Sequence, residues 1–134
     1  MNNIENQKLI CRYAKGGSGV DVEGSSSAFK EFAELLSGTG ISYEFFVPKG
    51  PATPYDYYLG KFIVEEKEGK LKIYPKERTL ICSGEKRYLK DLLKNILFFA
   101  QQEFTKGMHS HEEYYEDHFY LDSEAEAIVF SRTS

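Results

Sequence analysis

Residues 1–134 read as one α+β domain, a mostly antiparallel sheet of about seven to eight strands with two helices packed on one face. Three observations predict this. Two stretches repeat apolar residues at helical spacing. Many short aromatic or β-branched runs lie between turn residues. No linker, internal repeat or low-complexity tract divides the chain. With 134 residues, 41% of them hydrophobic and 28% charged, the chain can bury a core without staples.

In order, Lys8 to Ala14 is mostly apolar and strand-like, and Gly16 to Gly19 turns it into the alternating run Val20-Asp21-Val22-Glu23. Ser25-Ser26-Ser27 offers helix N-caps before Phe29, Phe32, Ala33 and Leu36, whose spacing predicts a short amphipathic helix ending at Ser37-Gly38. Ile41 to Val47 is a strand candidate. The three prolines of Pro48 to Pro54 make a loop, because each fixes φ and removes a donor. Tyr57 to Glu66 and Leu71 to Tyr74 flank Lys67-Glu68-Gly69-Lys70, which predicts a hairpin, and Thr79 to Cys82 extends it to a meander. Ser83-Gly84-Glu85 opens the longest helix, with Leu89, Leu92, Leu93, Ile96, Phe99, Ala100 and Phe104 as its stripe and Lys106-Gly107 as its stop. His109 to Tyr115 is extended, Asp117-His118 turns, and Ala127 to Phe130 is the last strand.

Cys11 and Cys82 both sit in apolar, strand-like runs and are expected as buried, reduced thiols. The start of the chain has no basic cluster followed by an apolar run, so the cytoplasm is the expected compartment. The longest apolar stretch, Ile96 to Ala100, falls far short of the roughly 20 residues of a membrane span.

Charge is uneven. From Gly107 onward only Arg132 is basic, against Glu112, Glu113, Glu116, Asp117, Asp122, Glu124 and Glu126. A nucleic-acid binder carries a basic stripe with interleaved aromatics, whereas here the aromatics alternate with acids. The pattern disfavours phosphate and favours a basic protein partner or a cation. Tyr114, Tyr115, Phe119 and Tyr120 among these acids read either as residues packing under the sheet or as a recognition patch, with tyrosine anchors and steering carboxylates.

All three histidines fall in the same segment: His109, His111 and His118. On a strand His109, His111 and Glu113 share a face, and paired imidazoles can bind Zn²⁺ or Fe²⁺. A metal-binding protein or metal-dependent enzyme using His109, His111 and His118 is therefore the alternative reading, and a purely structural histidine cluster is a third. No activated Ser or Cys nucleophile and no phosphate loop is legible, because Gly16-Gly17-Ser18-Gly19 lacks a following Lys and helix. No enzyme and no cofactor is expected.

From Pro54-Tyr55-Asp56 to the end, and above all in Gly107-Met108-His109-Ser110-His111-Glu112-Glu113-Tyr114-Tyr115 and His118-Phe119-Tyr120-Leu121-Asp122-Ser123, the chain resembles a bacterial immunity-protein family of polymorphic toxin systems. The family pattern has His-x-His, acidic and aromatic residues, then a Gly-His-aromatic-x-Leu-like turn; this chain has Asp117 where Gly is expected, and Glu113 at a site often filled by other polar residues. The resemblance implies inhibition by binding. The implied partner is a cognate protein toxin, often a nuclease or other enzyme with a basic active-site surface, which the acidic tail would occlude. Glu112, Glu113, Tyr115, Glu116, Asp117 and Tyr120 are the expected contact residues.

Overall fold

The computed structural model describes residues 8–16, 19–38 and 41–134. Among them the chain forms β1 (Ile10–Ala14), β2 (Gly19–Gly24), α1 (Ser26–Ser37), β3 (Ser42–Glu44), β4 (Tyr57–Leu59), β5 (Lys61–Glu66), β6 (Lys72–Lys76), β7 (Thr79–Gly84), α2 (Lys86–Gln101), β8 (His109–Glu112) and β9 (Ile128–Arg132). The fold class is α+β, as the sequence predicts. The expected turn between β1 and β2 lies partly outside the described residues.

The strands make two mixed sheets rather than one antiparallel one, ordered β4-β1-β2-β9-β8 and β3-β5-β7-β6. β2 runs parallel to β9 and β5 parallel to β7. The expected meander is thereby corrected: β6 pairs with β7, not with β5. The reason lies at the ends of β6. Glu77, in left-handed backbone at φ 57°, closes the β6–β7 hairpin. At the other end Leu71 is drawn away to the tail, its N–H donating to the Tyr120 carbonyl at 2.9 Å. The segment from Lys67 to Lys70 wraps the start of α2 instead of turning tightly, with Glu85 bonded to the Gly69 backbone.

The sheets are joined where the run from Tyr57 to Glu66 splits at Gly60 into β4, in the first sheet, and β5, in the second. β3 is shorter than the Ile41 to Val47 run. Phe45 and Phe46 donate instead to the Gly60 and Leu9 carbonyls, tying the two sheets together.

α1 begins where expected, its N-cap Ser25 accepting from Ala28 N at 3.1 Å. It touches both sheets and the other helix, which corrects the expectation of helices on one face of one sheet. Phe29 meets Phe99 of α2 and Phe130 of β9 edge-on, while Phe32 meets Tyr43 of β3 and Phe62 of β5. One contiguous buried cluster results. Cys11 and Cys82 are free and buried in it. Burial pushes both thiols up, Cys82 to about 12, so neither is a thiolate near neutral pH.

α2 ends at Gln101 rather than at Lys106-Gly107. Arg132 of β9 takes over its C-terminus: Nη1 donates to the carbonyls of Phe99 at 3.0 Å and Gln102 at 2.7 Å, and Ser26 Oγ donates to that of Ala100. A cation at a helix C-terminus also meets the negative end of the dipole. Phe104, expected in the buried stripe, lies beyond this stop and is exposed. No helix among the described residues is long and apolar enough to cross a membrane.

Candidate functional site

β8 is the outer strand of the five-stranded sheet. It pairs with β9 alone, from His109 opposite Ser131 to Glu112 opposite Ile128. Side chains alternate, so Ser110 and Glu112 turn inward while His109 and His111 stand exposed, their rings 4.9 Å apart.

A cleft of about 520 Å³ opens between β8, α2 and the following segment to Tyr120. Its floor is a polar cluster. Glu112 Oε2 accepts from the Tyr120 hydroxyl at 2.5 Å, and Asn95 Nδ2 donates to Tyr120 Oη at 2.7 Å and to Glu112 Oε1 at 3.4 Å. Glu112 and Tyr120 are only 7% and 6% exposed. Burial holds the Glu112 carboxyl above its ordinary value, although the bonds from Tyr120 and Asn95 pull the other way. The Tyr120 hydroxyl is raised in turn, first by burial and then by Glu112. These two residues, expected as partner contacts, are buried in the floor of the cleft rather than on its exposed rim.

The rim is exposed. Glu113, Tyr115, Glu116 and Asp117 are exposed as expected. β8 stops at Glu112, so Glu113 lines the cleft from the loop and not from the histidine face of the strand. Phe98, Tyr115 and Phe119 are 65%, 64% and 70% exposed, and all three border the same cleft. No Lys or Arg lines it. Asn95 and Phe98 of α2 were not legible as site residues, although Phe98 carries a signal: it is a large apolar residue off the helical stripe.

The turn that presents Tyr115 and Phe119 is fixed by two residues. Asp117 takes left-handed backbone at φ 64°, a conformation that glycine adopts freely and aspartate tolerates. His118, 5% exposed, then bends back so that Nδ1 accepts from Tyr120 N at 3.2 Å and Leu121 N at 3.0 Å. Lys70 Nζ donates to its carbonyl, and the Tyr115 ring lies 4.5 Å from the imidazole. Burial, then the Lys70 charge, keeps His118 below its ordinary pKa.

This arrangement separates the three histidines chemically. His118 has Nδ1 committed to two N–H donors, so its proton sits on Nε2 and neither nitrogen offers a free lone pair. His109 Nδ1 is held by the Gly107 carbonyl at 3.0 Å. Among the described residues no group of three or more His, Cys, Asp or Glu is placed to hold a metal ion.

Fold and site together define an α+β protein with an acidic, aromatic cleft beside an open sheet edge. No protein-family model matches the chain, nor does any curated protein or solved structure.

Proposed function

We propose that this chain is a binding protein of the immunity type, acting in the cytoplasm, which neutralises a cognate protein toxin by covering a basic surface on it. One observation carries the reading: Phe98, Tyr115 and Phe119 stand exposed around a single cleft whose fringe is acidic and which no Lys or Arg lines. Large exposed aromatics are costly to leave in water, and contiguous patches of them mark interaction surfaces. Rigid aromatic anchors with a polar rim are what a protein interface uses for affinity, while carboxylates speed encounter with a basic partner. The cleft floor is a closed hydrogen-bonded cluster, which suits a platform better than a reaction centre. Its residues shape the rim without joining the contact.

The test is a pull-down against the toxin encoded beside this chain's gene, with the double change Glu113→Lys and Glu116→Lys. Both side chains are exposed and in no ion pair among the described residues. The expected outcome is a complex weakened at least about tenfold, chiefly through slower association, with little change in melting temperature. Unchanged binding overturns the reading.

A further inference from the structure

Strand β8 has one neighbour, β9, and nothing among the described residues pairs with its other side. Which of its peptide groups are unused follows from the register. Arg132 N donates to the Met108 carbonyl at 3.2 Å, so Met108 and Arg132 form a hydrogen-bonded pair. Such pairs recur every second residue in an antiparallel ladder. Ser110 opposite Phe130 and Glu112 opposite Ile128 are therefore the next two. His109 and His111 lie between them and turn their N–H and C=O groups away from β9.

Those outward groups do not face open solvent alone. The cleft is lined by every residue from His109 to Glu113 along one side and by Phe98 of α2 and Gln102 just past its end on another. A strand edge facing a helix across a groove has room for an extended chain that bonds to the edge and lays alternate side chains against the helix. Exposed edges are normally blunted by inward charges, proline or a covering element. β8 carries no proline, its inward carboxyl, Glu112, is hydrogen-bonded, and no described strand pairs with its outer edge. The exposed carboxylate lining the groove is that of Glu113, with Glu116 and Asp117 on the adjoining turn and no Lys or Arg among the lining residues. Charge complementarity selects a basic occupant, and Phe98 and Phe119 select aliphatic side chains between the basic ones.

We propose that the free edge of β8 pairs main chain to main chain with an extended, basic-aliphatic segment of the partner protein, adding a strand to the five-stranded sheet. The inference rests on the protein-binding reading and specifies how that surface is engaged.

The experiment uses the full chain, isotope-labelled for amide NMR, and a capped Lys-Val-Lys-Val-Lys-Val peptide at about millimolar concentration. Amide shifts are expected at His109 to Glu113 and along α2 near Phe98. They should be lost when alternate peptide amides are N-methylated, and reduced when its lysines are replaced by glutamates. His111→Ala keeps the outward N–H and should retain the shifts. Relative to His111→Ala, His111→Pro removes that N–H, at an edge position where proline is tolerated, and should lower affinity at least about tenfold. Shifts elsewhere, no shifts, or shifts that survive N-methylation or the proline overturn the proposal. Concentration-dependent broadening at β8 without peptide assigns the edge to a second copy of this chain, which also overturns it. Failure of the unaltered chain to bind any toxin bears instead on the function proposed above. The N-methyl comparison stays decisive on the unaltered chain if His111→Pro does not fold.

Discussion

Removing the Glu112 side chain tests whether the cleft floor is a structural cluster. In Glu112→Ala the Tyr120 hydroxyl loses its acceptor in a nearly closed site, and one of the two bonds made by Asn95 Nδ2 disappears. An unsatisfied buried hydroxyl costs about 1–3 kcal/mol, and relief of the desolvated carboxylate returns part of it, leaving a net loss of about 2 kcal/mol. Unfolding entropy of about 2.1 cal/mol/K per residue gives about 0.28 kcal/mol/K for 134 residues, so the melting temperature should fall by about 7 °C. Glu112→Gln adds a pH test. Burial raises the carboxyl above its ordinary 4.5, so the folded chain binds more protons than the unfolded one just above that pH. Stability from this group is therefore greatest in acid and declines as pH rises from about 4.5 through the folded value. Glu112→Gln has no such group, so its stability should gain on the wild type across that window, measured by urea denaturation at a series of pH values. Parallel pH profiles would show that the hydrogen bonds fully offset burial at Glu112, and the opposite slope that they dominate it. A Glu112→Ala loss below about 0.5 kcal/mol would refute the structural cluster altogether.

Arg132→Ala removes three charge-assisted bonds, to Phe99, Gln102 and Ser134, and should cost about 3 kcal/mol in urea denaturation, with Arg132→Lys intermediate; a loss under about 1 kcal/mol contradicts the capping role. His118→Ala strands the N–H groups of Tyr120 and Leu121 and should cost about 2 kcal/mol, checked by thermal melting. Because the folded His118 pKa lies below 6.5, the wild type should lose stability as pH falls from about 6.5 toward the folded value, and His118→Ala should lack that decline. Gly19→Ala places a Cβ 2.6 Å from the Ala127 carbonyl oxygen at φ +79°; a loss of at least about 1–2 kcal/mol is expected, and a neutral result would contradict that close approach.

Helix existence was legible because periodicity is local: Phe29, Phe32, Ala33 and Leu36 are all buried as their spacing predicts. Strand order was not, because pairing depends on contacts between distant residues. Thr79 to Cys82 reads alike whether β7 lies beside β5 or beyond β6. What decides it is the bridge from Leu71 to Leu121, fifty positions away in no local pattern. The end of α2 was misplaced for a similar reason. Lys106-Gly107 is a plausible local stop, but the helix is closed by Arg132, thirty residues further on. Within the site, alternation on β8 put His109 and His111 on one exposed face and Glu112 on the other, a split that the sequence pattern contained. That Glu112 faces Asn95 and Tyr120 and not a partner required knowing what packs beneath the strand.

The acidic count of the tail overstates what it presents to a partner. Seven carboxylates follow Gly107. Glu112 is buried with a raised pKa, Glu124 is paired with Lys72 at 2.9 Å, and Glu126 accepts from the Tyr13 hydroxyl at 3.1 Å. Asp122 Oδ1 accepts from the Glu124 backbone. These last three lie beyond Leu121, where the chain runs along β6 toward β9 and away from the cleft. Glu113, Glu116 and Asp117 remain as the carboxylates near the aromatic rim. Three exposed charges, screened over about 8 Å at physiological salt, steer an encounter without holding a complex. On the proposed reading, affinity then comes from desolvating Phe98, Tyr115 and Phe119 and from the main chain of β8. Those depend on a rigid platform, and Glu112, Asn95, Tyr120 and His118 supply it from beneath. The segment thus divides its polar residues by depth: the buried ones fix the shape, and the exposed ones, on the proposed reading, set the rate of approach.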